Sequence, residues 1–121
     1  MTTAITLLDG GMGQELIRRS SAAKPHPLWS LQVMMDEPEL VAKVHRDFCL
    51  AGARVICLNT YSVTRHRLQM GTELPDLPEL LKHAGDLARA GIQASGLHGI
   101  DVVASLPPLT ASYLKQSPLS P

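Results

Sequence analysis

Leu7-Leu8-Asp9-Gly10-Gly11-Met12-Gly13 is the stretch whose reading decides the fold. An apolar run ends in a carboxylate, and three glycines follow within four positions. Glycine lets the backbone reach conformations closed to other residues and lets another group approach closely. Gln14-Glu15-Leu16-Ile17-Arg18-Arg19 then supplies good helix formers, so the order is strand, tight turn, helix. In parallel α/β folds the ligand face lies at the carboxyl ends of the strands, which puts Asp9 where a ligand would be held. Two other readings of the turn stand beside this one. A dinucleotide fingerprint needs a third glycine where Leu16 stands, and the P-loop Lys-Ser/Thr pair is missing. Asp9 could also simply end a strand and cap a turn.

Working outward, Ile5 to Leu8 is predicted as a short, fully buried parallel strand, followed by a helix from about Met12 to Arg19. Ser20 to Pro27 is a polar loop broken by Pro25 and Pro27. Trp29, the single tryptophan, suits a packing anchor, and Ser30 suits the cap of a short helix through Met35. Asp36-Glu37-Pro38-Glu39 starts another helix, since proline is tolerated in the first turn and acidic groups there favour the helix dipole. Leu40, Val41, Val44, Phe48 and Ala51 recur on one face of it, and Gly52 suits its C-cap. Arg54 to Asn59 reads as a second strand, apolar on both faces and therefore central and covered. It ends in Asn59-Thr60-Tyr61, three hydrogen-bonding side chains. Ser62 to Pro75 reads as a long, solvated polar connection. Asp76 and Glu79 stand at capping-box spacing before a stripe of Leu77, Leu80, Leu81, Ala84, Leu87, Ala88 and Ile92, with Gly96 and Gly99 closing the helix. Asp101 to Leu106 is a third strand, stopped by Pro107-Pro108. The order β-α-β-α-β implies α/β architecture with parallel strands, as a doubly wound sheet or a (β/α)8 barrel.

Composition narrows the function classes. The 121 residues are enough for one modest domain. Hydrophobic residues make up 45% and aromatic residues only 3%, so the core must be aliphatic. Net charge is zero, which leaves no nucleic-acid or membrane-steering footprint. No apolar run approaches the roughly 18 residues of a membrane span, and Met1-Thr2-Thr3-Ala4 lacks a basic leader. Two cysteines, Cys49 and Cys57, make no disulfide framework, so a reduced, cytoplasmic setting is expected. They are not in a close metal spacing, and the five histidines are scattered, so no metal ligand is assigned.

The ordered set of motifs resembles the homocysteine S-methyltransferase family. Leu7 through Leu16 resembles the family's opening, and Pro27-Leu28-Trp29-Ser30 its next motif. Pro38-Glu39-Leu40-Val41, Val44-His45 and Ala51-Gly52-Ala53 resemble the following helix and turn, and Asn59-Thr60-Tyr61 the end of the second strand. Ala104-Ser105-Leu106-Pro107-Pro108-Leu109 with Ser112-Tyr113 resembles the third strand and its loop. Each motif is weak alone; the ordered set, across residues 5 to 113, is specific.

The resemblance implies a (β/α)8 TIM barrel that transfers a methyl group to the homocysteine thiol, in methionine biosynthesis, from S-methylmethionine, betaine or a folate- or cobalamin-linked donor. It implies a zinc ion held by three cysteines, which binds the thiol as thiolate. Such a barrel takes about 250 residues. This chain is therefore expected to be its first three βα units, residues 1–113, with 114–121 a disordered tail. Nothing in the sequence matches the family's zinc cysteines, so the chain is expected to be inactive alone. By the resemblance, Asp9, Gly10 and Gly11 would hold the amino-acid end of homocysteine, the carboxylate meeting its ammonium and backbone N–H groups its carboxylate. Asn59, Thr60 and Ser105 would line the pocket. Leu58 stands where many relatives have threonine, and Ser62 near a donor-binding tyrosine of betaine users. No residue is assigned a catalytic role. Open sheet edges would invite a homo-oligomer. The rival functions are a non-enzymatic half-barrel that binds a ligand or a partner chain, and a small phosphate-binding α/β domain.

Overall fold

The computed structural model describes residues 4–21, 28, 30–69 and 74–108. Its elements are α1 (Met12–Arg19), α2 (Ser30–Asp36), α3 (Pro38–Leu50), β1 (Val55–Cys57), α4 (Arg65–Leu68), α5 (Leu77–Ser95) and β2 (Asp101–Val103). β1 and β2 pair in parallel, with Val55 opposite Asp101, Ile56 opposite Val102 and Cys57 opposite Val103. On the other side of β1, Leu8 forms a single parallel bridge with Val55. The Arg54 N–H donates to Leu7 O at 2.8 Å and the Asp9 N–H to Val55 O at 3.0 Å. β1 is thus central, as its apolar sequence requires, and parallel strands with helical crossovers give the α/β class.

The helices form where capping and periodicity direct them. In α5 the Asp76 side chain accepts the Glu79 N–H at 3.1 Å, and Gly96 closes the helix in the left-handed region at φ 71°. α3 has Pro38 in its first turn, and its C-cap is Ala51, one residue before the expected Gly52. α3 and α5 lie unusually close. A Cβ on Gly91 would sit 2.5 Å from Ala42 O and 2.6 Å from His45 Cβ, so only glycine lets the two backbones meet there. On the sheet side, Ile56 is buried with Cys49, Ala53 and Ala88. The larger cluster gathers Met12 and Leu16 of α1, Leu31 and Met34 of α2, Val41 and Val44 of α3, and Leu80 and Ala84 of α5. The buried apolar residues are aliphatic, methionine or cysteine, in line with the composition.

Three expectations need correction. The Ile5–Leu8 segment is not a fully buried strand: it pairs through one bridge, and Ile5 is 93% exposed. Among the described residues only β1 flanks it, and an apolar sequence cannot bury itself without a neighbour. The second and third strands are shorter than Arg54–Asn59 and Asp101–Leu106, ending at Cys57 and Val103, and Leu106 is 96% exposed. The connection after Ser62 is not purely loop. α4 forms there because Thr64 caps it, its side chain accepting the Arg67 N–H at 3.1 Å. Trp29 and the 114–121 tail lie outside the described residues.

His45 is fully buried in α3, and neither ring nitrogen has a hydrogen-bond partner among the described residues. Burial pushes its imidazole down from the ordinary 6.5 to about 4. The unfolded chain therefore takes up this proton first. Stability is complete above about pH 6.5 and falls as the pH drops toward 4, by up to roughly 3 kcal/mol from this one group. Urea unfolding of the wild-type protein between pH 7 and pH 5 is expected to show this loss. His45→Leu should flatten it; an equal slope in the variant would show that other groups are responsible.

Candidate functional site

Three chain segments converge beyond the carboxyl ends of the strands. The glycine turn leaves the segment paired to β1, residues 57–61 leave β1 itself, and Ser105 follows β2. Between them is an open cavity of about 260 Å³ walled by Gly10–Gln14, Ser30, Cys57, Leu58, Asn59, Tyr61 and Ser105. One wall is the N-terminus of α1. A helix leaves its first N–H groups without intrahelical partners, and here they belong to Met12, Gly13 and Gln14. The Gly11 N-cap has no side chain to cover them. Backbone donors and the positive end of a helix dipole suit a carboxylate.

Asp9 stands just behind this wall and is half-buried. Its Oδ2 accepts the Cys57 N–H at 2.9 Å, which ties the glycine turn to β1. Burial raises the Asp9 carboxyl above its ordinary range, and the Cys57 and Asp9 N–H groups pull it part of the way back. A cation arriving beside it would lower it further. Asn59 is buried on the far side, where Nδ2 donates to Ser30 O at 3.1 Å. Ser105 Oγ lies 3.1 Å from Cys57 Sγ. Thr60 is buried and does not reach the cavity wall; among the described residues its hydroxyl has no hydrogen-bond partner, nor has that of Ser62.

Of the six residues singled out from the sequence, Gly10, Gly11, Asn59 and Ser105 therefore line one cavity, with Asp9 behind it and Thr60 to one side. Sequence reasoning missed Cys57, Met12, Gln14 and Ser30 on the wall, while Tyr61, expected at the ligand end of the second strand, is on it. Strand alternation carries the signal for Cys57: Ile56 faces the helices, so its neighbour faces away. Among the described residues no group of three or more His, Cys, Asp or Glu is placed to hold a metal. Cys49 is buried beneath β1 beside Ile56, where desolvation raises its thiol away from the thiolate form, while Cys57 opens into the cavity. The described residues do not fit a three-cysteine zinc site.

The architecture is that of a parallel α/β protein with its cavity at the carboxyl ends of the strands. A family model described as homocysteine S-methyltransferase matches residues 6–120, and the chain belongs to this family. Homocysteine S-methyltransferase 3 of Zea mays is 40% identical over 58 residues, 48% of this chain and 17% of the relative. Homocysteine S-methyltransferase 4 of Zea mays is 36% identical over 95 residues, 74% of this chain and 27% of the relative. The crystal structure of the homocysteine methyltransferase MmuM from Escherichia coli, in its metallated form, superposes with a TM-score of 0.70 at 30% identity. That likeness covers 86% of this chain and 38% of MmuM. The chain thus spans well under half the length of these relatives.

Gly10 has a steric role at the site whatever the ligand. A Cβ there would lie 2.9 Å from Phe48 Cε1 and 3.1 Å from Cζ. Gly10→Ala is expected to lose roughly 1–3 kcal/mol by this overlap. Urea unfolding should show the loss shrink when Phe48→Leu is combined with it; an unchanged loss would mean that the ring is not the obstacle.

Proposed function

We propose that the cavity at the strand ends binds the amino-acid end of homocysteine, and that residues 1–113 correspond to the N-terminal part of a (β/α)8 barrel of the methyltransferase family. The observation that carries this reading is the wall of Gly10–Gln14 at the N-terminus of α1, directly beside the Asp9 carboxylate. It offers a zwitterion two complementary ends. The unpartnered N–H groups of α1 would receive the carboxylate, and Asp9, through the oxygen not bonded to Cys57, would receive the ammonium. Asn59 and Ser105 would close the far side. Family membership supports methyl transfer to the homocysteine thiol as the activity of the complete barrel, from a donor such as S-methylmethionine.

A thiol is a weak nucleophile until it is ionised. The family's zinc would supply that ionisation, but the described residues do not fit the ion. The chain by itself is proposed to bind homocysteine without turning it over. A cytoplasmic setting follows from the same reading, and no helix of the described residues is long and apolar enough to cross a membrane. The exposed apolar edge residues, Ile5 and Leu8 on one side and Val102 and Val103 on the other, favour association with a second chain that covers them.

Calorimetric titration of the full chain with homocysteine tests the reading. Asp9→Asn keeps an acceptor for the Cys57 N–H and removes the charge that would meet the ammonium. It is expected to weaken binding by about tenfold or more. Equal affinity in the variant, or no binding by the wild-type chain, contradicts the proposal. Incubation with homocysteine and S-methylmethionine is expected to yield no methionine.

A further inference from the structure

The glycine turn is the part of the cavity with the fewest side chains to hold it. Gly10 and Gly11 have no Cβ, so the chain there has many accessible conformations. α1 is eight residues long, too short to be stable alone. Yet its N-terminus must point into the cavity for its N–H groups to serve a ligand. Something outside the helix has to set that direction.

Two neighbouring residues of α3 touch the two ends of this unit. The Phe48 ring lies directly under Gly10, as the 2.9 Å approach of a Cβ built there shows. At the far end, Arg19 Nη1 donates to Asp47 Oδ2. The Asp47 carboxylate is divided: Oδ1 accepts Arg46 Nε at 3.1 Å and Nη2 at 2.9 Å, while Oδ2 serves Arg19. Arg19 is oriented in turn by Nε donating to Glu15 Oε1 at 2.7 Å. Both partners of the Arg19–Asp47 pair are half-buried. Arg19 thus bridges the Glu15 and Asp47 carboxylates through two different N–H groups, and charge-assisted hydrogen bonds are directional as well as attractive. α3 is a firm base for both contacts, because it is locked against α5 where Gly91 meets Ala42 and His45.

We propose that Asp47 and Phe48 are positioning residues: together they set where the N-terminus of α1 points, Asp47 by holding Arg19 and Phe48 by supporting Gly10. The consequence for ligand binding rests on the substrate reading above; the positioning itself does not. Neither residue lines the cavity, so each acts through α1. The exposed Lys82–Asp86–Arg89 cluster on α5 is an internal control, since its pairs lie within one helix.

Amide NMR of the labelled full chain tests this without any ligand. Asp47→Asn and Phe48→Leu should each move the amide signals of Gly10, Gly11 and Gly13. Asp47→Asn should also speed hydrogen exchange at Glu15 and Ser20, whose N–H groups bond Gly11 O and Leu16 O, by about threefold, the factor expected for losing a partly exposed ion pair. Gly99, beyond the end of α5 and with no neighbour close to it, should not change. Asp47→Glu, which keeps the charge, should largely restore the wild-type signals, and Asp86→Asn should move none of them. Glycine signals that stay in place in both single variants, or a loss that Asp47→Glu does not rescue, overturn the proposal. Homocysteine added to the same samples separates the two readings. If it shifts no wild-type amide, the substrate reading fails and the glycine signals still decide the positioning.

Discussion

The close crossing of α3 and α5 at Gly91 is the constraint on which the rest of this structure depends. Backbone and Cβ atoms of α3 occupy the space that any other side chain at position 91 would need. This contact brings the two helices into a single layer that buries Ile56 of the central strand with Ala53 and Ala88. It also leaves His45 enclosed, with no partner for either ring nitrogen among the described residues. A buried imidazole without hydrogen bonds is tolerable only while neutral. The tight contact and the low imidazole pKa are therefore two results of one packing decision.

The same helix layer organises the cavity indirectly. α3 carries Phe48 under the glycine turn and Asp47 against the end of α1, while β1 offers its Cys57 N–H to Asp9. α1 is fixed from both sides even though its leading loop is mostly glycine. Ser20 and Ser21 add contacts to the Glu37 carboxylate at the start of α3, and these hydroxyl and N–H donors hold that carboxyl below its ordinary range. The turn after β1 has the opposite character: Thr60 and Ser62 are buried there, and their hydroxyls have no hydrogen-bond partner among the described residues.

The helices were the most legible part of the chain. Periodicity and capping chemistry placed α1, α2, α3 and α5 to within a residue or two, because those signals are local: Asp76 caps α5 whatever surrounds it. α4 escaped notice because four residues carry no readable period, and its one signal, Thr64, looks like any loop threonine. The strands were overextended for a related reason. Apolar character at Ile5–Leu8 and at Ala104–Leu106 marks residues suited to a sheet, but a strand exists only where a neighbour supplies the other half of each hydrogen bond. Among the candidate site residues, the glycine turn and Asn59 were legible because turn chemistry and strand ends leave residue-type signatures. Cys57 was not, since an apolar-looking strand hides which of its faces is covered.

The sequence by itself determined the local chemistry: which segments coil, where they are capped, that the strands run parallel, and that a carboxylate followed by glycines stands at a strand end. The ordered motifs also carried the family, which the match over residues 6–120 shows. Only the tertiary structure decided that Asp9 spends one oxygen on the Cys57 N–H and stands behind the cavity wall, that Thr60 is turned away from it, and that Phe48 and Asp47 brace α1. These are contacts between residues some 28 to 48 positions apart in sequence. They depend on where the helix layer places β1 and α3 in space, and a local pattern has no access to that distance.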